Sequence, residues 1–227
     1  MTDTATTPAR RRVPWLPIGI GLLIFLMAGF IWHAITFGLT GLFGPLPDSY
    51  LYRPGGTVGN GAMSLHMILG GLITLIVSFQ LLPGIRARRP ALHRAMGRGI
   101  VLAAFLTAAF GLTYIALRGT KGGPVMDAGS ILYGLLTLLA AVQTFRHARA
   151  RDIRLHREWA LRLFVLIVAS WAYRFHYALW YIVTGGLWSE LPGHTGPFDL
   201  VQNFAFYLVY LALLELWFMR ERRGRAV

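Results

Sequence analysis

The chain carries six long apolar stretches, and they limit its fold more than any other feature of its sequence. Each approaches or exceeds the roughly 20 residues that a helix needs to cross a bilayer. Of the 227 residues, 56% are apolar and 14% are charged, whereas a soluble domain has about a quarter charged residues. This pattern excludes a soluble enzyme, a secreted disulfide scaffold and a disordered chain.

The apolar pattern predicts six helices, which are separated by segments rich in Pro and Gly that interrupt backbone hydrogen bonding. The predicted ranges are 15–39, 61–83, 96–118, 128–146, 157–184 and 198–219. Six spans of ~20 residues use about half of the chain and leave no room for a separate soluble domain. The predicted fold class is therefore all-α: a polytopic membrane bundle of six transmembrane helices covering residues 15–219.

The basic residues are divided unevenly between the two sides of the predicted membrane. Seventeen arginines lie in the N-terminal segment, the second and fourth connections and the C-terminal tail, whereas the other side has only Arg53, Arg118 and Lys121. Because basic residues concentrate on the cytoplasmic side, both termini are predicted to be cytoplasmic. Residues 1–14 and 220–227 are then a basic cytoplasmic N-terminus and tail.

The position of these arginines also predicts the partners. Basic blocks beside apolar spans are typical of contact with anionic lipid headgroups, so we expect a multi-pass protein of the bacterial inner membrane that does not bind nucleic acid. The chain has no cysteine, which excludes disulfides, thiolate metal sites and iron–sulfur clusters. It also lacks the HExxH and GxSxG motifs, and whether it is an enzyme stays open.

Ionisable residues inside the predicted spans indicate a polar interior, because such residues are costly in lipid and normally face protein. At 100° per residue, His66 and Gln80 fall on one stripe of the second span, and His156 and Arg174 align on the fifth. The predicted polar interior consists of His66, Gln80, Arg162, Arg174, Asn203 and Glu215.

Depth along the spans predicts how the charges pair. Arg162 and Glu215 both lie in the cytoplasmic half of the predicted membrane and are expected to neutralise one another. Arg174 lies in the other half, where Asp199 or Asp127 is the natural counter-ion, with Asp199 the nearer by depth. A buried ion pair of this kind often serves only to fix helix register.

A set of histidine and arginine motifs resembles a known family. One predicted helix has His66 near its start and Gln80 near its end. The next loop carries His93-Arg94 and Gly97-Arg98, and a later segment has the sequence His156-Arg157-x-Trp159-x-x-Arg162. With Arg174, Asn203 and Glu215 further on, residues 60–223 are similar to the bacterial predicted membrane proteins termed domain of unknown function 2306. The resemblance implies a membrane protein and specifies no activity.

The first hypothesis of function is electron transfer linked to haem b. His93 and His156 enter from two helices at one predicted depth, as two axial ligands of a haem iron must. Arg94, Arg98 and Arg157 beside them would bind the haem propionates, and a quinone or another redox carrier would be the partner. The two histidines would be metal ligands only toward haem iron. They could equally be ordinary helix-start residues among arginines.

The alternative hypothesis is a transporter for protons or a small molecule. In this interpretation His66, Gln80, His156 and Arg174 line a polar path through the bundle. A purely structural or partner-binding role is a third possibility that the sequence leaves open.

Overall fold

A computed structural model describes residues 15–224, which form helices with no β-strand among them. Six helices are long and apolar enough to cross a membrane, and they confirm the predicted fold class. The helices are α1 (Trp15–Phe43), α2 (Thr57–Val77), α3 (Pro83–Arg88), α4 (Pro90–Arg118), α5 (Gly123–Arg149), α6 (Ile153–Thr184) and α7 (Pro197–Gly224). A 3₁₀ turn at Ser78–Leu81 extends α2, and α3 is too short to span. The predicted N-terminal segment 1–14 lies outside the described residues.

Five of the six long helices begin earlier than the apolar pattern predicts. α4 starts at Pro90 rather than at residue 96, and α6 starts at Ile153 rather than at residue 157. Proline suits the first turn, where its missing N–H would have no partner. Asp152 caps α6, because its carboxylate accepts a hydrogen bond from the Leu155 N–H at 3.0 Å. Hydropathy thus marks the part of each helix that suits lipid, whereas capping residues set where the helix starts.

The bundle has four central helices and two outer ones. α2, α4, α5 and α6 surround a common core, α1 packs on α2, and α7 packs on α5 and α6. Small residues allow close approach: a Cβ added to Gly38 would lie 2.7 Å from the Ser64 carbonyl oxygen, and one on Gly129 would lie 2.5 Å from that of Asn203. Such close packing stabilises helix pairs in lipid, where no hydrophobic force drives them together.

Large apolar side chains cover the outside of the bundle. Phe25, Leu135 and Ile182 are exposed on three different helices. Exposed apolar surface of this extent suits hydrocarbon rather than water, and helices satisfy their backbone polar groups internally, as lipid requires. The protein is therefore a multi-pass membrane protein whose outer surface contacts the bilayer.

Contacts between distant segments define two ends of the bundle. At the arginine-rich end, formed by α3, the α5–α6 connection and the end of α7, Arg157 binds Glu221 at 3.0 Å and Arg222 binds Glu158 at 2.5 Å. The arginine-poor end contains the connections 44–56, 119–122 and 185–196. There the Arg118 guanidinium donates a hydrogen bond to the Leu51 carbonyl oxygen at 2.9 Å.

Candidate functional site

A cavity of about 410 Å³ lies between the helices in the half of the bundle nearer the arginine-poor end. A volume of this order is typical of sites for small molecules. Every one of the six long helices contributes to its wall, and most of the wall is apolar. Its polar groups come from Tyr50, His66, Lys121, Tyr133, Tyr173, Arg174, His194 and several hydroxyl and amide side chains.

Arg174 brings a permanent positive charge into this cavity. Its guanidinium donates a hydrogen bond to the Ser170 carbonyl oxygen at 2.9 Å and lies over the Phe30 ring of α1, 4.9 Å from the ring centre. Among the described residues no carboxylate lies within ion-pair distance of it. Because Arg stays charged in proteins, this cation faces the cavity without a counter-ion.

The predicted ion pair between Arg174 and Asp199 is wrong, because the Asp199 carboxylate is occupied elsewhere. One oxygen accepts hydrogen bonds from the Tyr177 and Ser189 hydroxyl groups, at 2.7 and 2.8 Å. The other accepts from the backbone N–H groups of Glu190 and Gly196, at 2.8 and 3.0 Å. Asp199 is fully buried and holds the α6–α7 connection onto the start of α7, so matching depth along two helices did not mean contact.

His66 faces the same cavity from α2 and is held in one orientation. Its Nδ1 lies 2.9 Å from the Thr107 carbonyl oxygen on α4. Since a carbonyl oxygen only accepts, Nδ1 carries the hydrogen, which leaves Nε2 available to the cavity. The ring fits because residue 111 is glycine: a Cβ there would lie 2.8 Å from Nδ1.

Lys121 and His194 lie at the arginine-poor end of the cavity. The Lys121 ammonium lies 4.8 Å from the centre of the Tyr50 ring, a cation–π contact between two connections. Burial lowers the pKa of His194 below its ordinary value, although nearby Asp199 opposes the shift. A second cavity of about 330 Å³ adjoins the first and shares His194, Tyr173 and Arg174 with it.

Some polar groups in the cavity wall have no hydrogen-bond partner among the described residues. Both amide atoms of Asn203 and the Thr107 hydroxyl are buried in this state. Buried polar groups are nearly always hydrogen-bonded to protein or water. These atoms therefore mark places where a water or a ligand would gain hydrogen bonds.

The other predicted interior residues lie away from the cavity. Gln80 is near the arginine-rich end, where its amide donates to the His93 carbonyl oxygen at 3.3 Å. Arg162 and Glu215 form the predicted ion pair, with a shortest N–O distance of 2.6 Å. The structure thus brings His66, Arg174 and Asn203 to one cavity and separates them from Gln80, Arg162 and Glu215.

The predicted haem ligands, His93 and His156, also lie outside this cavity. The Nδ1 atom of His156 donates to the Thr144 carbonyl oxygen at 3.0 Å, which directs Nε2 outward in the manner of a metal-ligating histidine. The Nδ1 atom of His93 is buried and has no hydrogen-bond partner among the described residues.

The three arginines expected at the haem propionates differ in their surroundings. Arg157 is bound to Glu221 and lies over the Trp217 ring, 5.0 Å from its centre. Arg94 and Arg98 are exposed. Of the three arginines, only Arg94 and Arg98 therefore remain available to a propionate.

Comparison with known proteins gives one family. The family model described as predicted membrane protein (DUF2306) matches residues 63–217. The chain belongs to this family. No curated protein and no solved structure matches the chain.

The region shared with the DUF2306 family holds most of the cavity. It begins in α2 and ends in α7, and so includes His66, Lys121, Arg174, His194 and Asn203. α1 and the connection 44–56 lie before it, although both contribute to the wall.

Sequence reasoning missed the part of the site that comes from connections. Tyr50, Lys121 and His194 lie between spans, where helical periodicity gives no indication of direction. Helical periodicity places Ser130, Tyr133, Thr137 and Thr144 on one line of α5, and the first three of them line the cavity. Helical periodicity therefore indicates the cavity residues that lie on helices and gives no indication of those that lie in the connections.

Proposed function

We propose that this protein binds a small organic anion with an apolar body inside its membrane domain and functions as a transporter for it. The observation that carries the proposal is the unneutralised guanidinium of Arg174 in the wall of the cavity. Among the described residues in that wall, Lys121 adds a second fixed positive charge and none is Asp or Glu. A site of this charge favours an anion over a neutral or cationic molecule.

The apolar part of the wall supports an amphipathic ligand. Met67, Leu112, Ile167 and Phe206 face the same space as Arg174. Burial of apolar ligand surface against such side chains stabilises a complex by roughly 25 cal/mol per Å² before the costs of association. A carboxylate with a short hydrocarbon chain matches both features, because its head would pair with the guanidinium and its chain with the apolar wall.

Binding of octanoate tests the proposal. We expect titration calorimetry on the protein in a neutral detergent to show tighter binding of octanoate than of octanol or octylamine, which have the same chain length. Arg174→Gln should raise the Kd for octanoate by about tenfold or more, because it removes a charge-assisted contact.

Arg154→Gln is the matched control, since Arg154 is exposed at the arginine-rich end, away from the cavity. This variant should bind octanoate like the unaltered protein. Equal binding of the three probes, or equal loss of affinity in both variants, would contradict the proposal.

Haem-linked electron transfer is a second candidate function, supported by the unpartnered Nδ1 of His93 beside the oriented imidazole of His156. It predicts a Soret band in protein purified from haem-sufficient cells. His93→Ala or His156→Ala should abolish that band, and His176→Ala should keep it, because His176 bonds to Tyr210 and Gln202 instead. Colourless protein would end this candidate.

The charge asymmetry supports an orientation in a bacterial inner membrane with the arginine-rich end in the cytoplasm, next to anionic lipid headgroups. A reporter fused at Gly122 should give a periplasmic signal and one fused at Arg151 a cytoplasmic signal. These positions lie in connections at opposite ends of the bundle. The reverse pattern of signals would invert the proposed orientation.

A further inference from the structure

We infer that His66 takes up a proton when an anion binds in the cavity, so that binding is coupled to one proton. This inference rests on the proposed function, because it concerns the same cavity and the same anion. It identifies a second polar role in the wall: Arg174 supplies the fixed charge, and His66 supplies a group that changes its protonation.

The hydrogen bond of His66 to Thr107 determines which nitrogen can act. Nδ1 keeps its hydrogen in both protonation states because it donates to a carbonyl oxygen. Only Nε2 can therefore gain or lose a proton, and no described residue bonds to it. Gly111 leaves room for the ring in this position, and the hydrogen bond to Thr107 holds it there. The proton acceptor is therefore in place before any ligand binds.

The charged groups that face His66 in the cavity wall are cationic. α6 presents Arg174, and the connections at the arginine-poor end present Lys121 and His194. The remaining titratable groups in the wall are the phenols Tyr50, Tyr114, Tyr133 and Tyr173, and α1 contributes none among its described lining residues. With fixed positive charges and no Asp or Glu among the described residues of the wall, an imidazolium has no counter-ion in the wall until an anion enters.

Entry of a carboxylate into the cavity supplies the counter-ion that an imidazolium at His66 needs. The carboxylate pairs with the Arg174 guanidinium, and its negative charge then favours protonation of His66. The proton comes from a buffer acid, whose own bond to that hydrogen breaks as the new N–H bond forms on Nε2. If the ligand arrives as the neutral acid, its O–H bond breaks, the electron pair stays on oxygen as carboxylate, and a new N–H bond forms on Nε2. By either route the complex holds one proton more than the empty protein and the free anion.

Proton uptake can be measured directly. Octanoate is titrated into the protein by calorimetry near pH 7, where it is an anion, in buffers that differ in ionisation enthalpy. The dependence of the observed heat on the buffer gives the number of protons taken up, and we expect about one per octanoate. His66→Gln keeps a donor for the Thr107 carbonyl oxygen and should still bind octanoate, with no proton uptake.

His147→Gln is the control, because it removes a histidine near the end of α5 that does not line the cavity and should leave the uptake unchanged. Absence of uptake in the unaltered protein, or full uptake in His66→Gln, would overturn the inference. Those results leave octanoate binding itself intact. Failure of octanoate to bind the unaltered protein would instead contradict the proposed function.

Discussion

Replacing Asp199 by Ala is expected to destabilise the protein more than any other single change of a charged residue at the arginine-poor end. The substitution removes an acceptor that satisfies two hydroxyl and two backbone N–H groups. Hydrogen bonds to a buried charge contribute about 1.5–3 kcal/mol each and are not additive, so a loss of about 3–5 kcal/mol of unfolding free energy is expected. Unfolding by titration with sodium dodecyl sulfate in a neutral detergent measures it.

The matched control for this prediction is Asp48→Ala. Asp48 also lies at the arginine-poor end, but its side chain is exposed. Its replacement should change the unfolding free energy by less than about 0.5 kcal/mol. If Asp199→Ala lowered the unfolding free energy no more than Asp48→Ala does, the four hydrogen bonds of Asp199 would not be responsible for holding the α6–α7 connection in place.

The second large effect is expected from Gly129→Leu. A side chain at this position meets the backbone of Asn203, with the first added carbon only 2.5 Å from a carbonyl oxygen. Because backbone cannot move aside as a flexible side chain can, α5 and α7 would have to separate. Overpacking of this kind costs about 3 kcal/mol or more, and detergent unfolding again measures it. The separation should also weaken octanoate binding, since both helices line the cavity.

Gly21→Leu provides the comparison on α1, where an added Cβ meets nothing within 4 Å. Leucine is a better helix former than glycine by about 1 kcal/mol or slightly less, so this variant should be as stable as the unaltered protein or slightly more stable. Equal behaviour of the two variants would show that α5 and α7 do not rely on close approach at Gly129.

The sequence was sufficient to predict the six spans because crossing a bilayer needs long apolar helices, and that requirement is visible in composition alone. It was also sufficient for the ion pair of Arg162 with Glu215, which lie at one depth on α6 and α7, two helices that pack against each other. Depth in the membrane follows from the position of a residue along its span, and for this ion pair equal depth was sufficient to predict the contact.

Depth alone failed for Arg174 because it does not specify direction around a helix axis or competition for a partner. Asp199 lies at a suitable depth, yet hydroxyl and backbone donors of its own connection are closer in the chain and occupy it. The cavity itself could not be predicted for a related reason. It depends on the lateral arrangement of six helices, and a helical wheel gives the faces of each helix without saying which faces meet.

The most direct test of the central claim is a structure of the protein with 8-bromooctanoate, whose bromine can be located by anomalous scattering. We expect one bound molecule in the 410 Å³ cavity, with its carboxylate within hydrogen-bond distance of the Arg174 guanidinium and its bromine among the apolar residues of the wall. Bromine found only on the lipid-facing surface, with the cavity free of ligand at saturating concentration, would contradict the account.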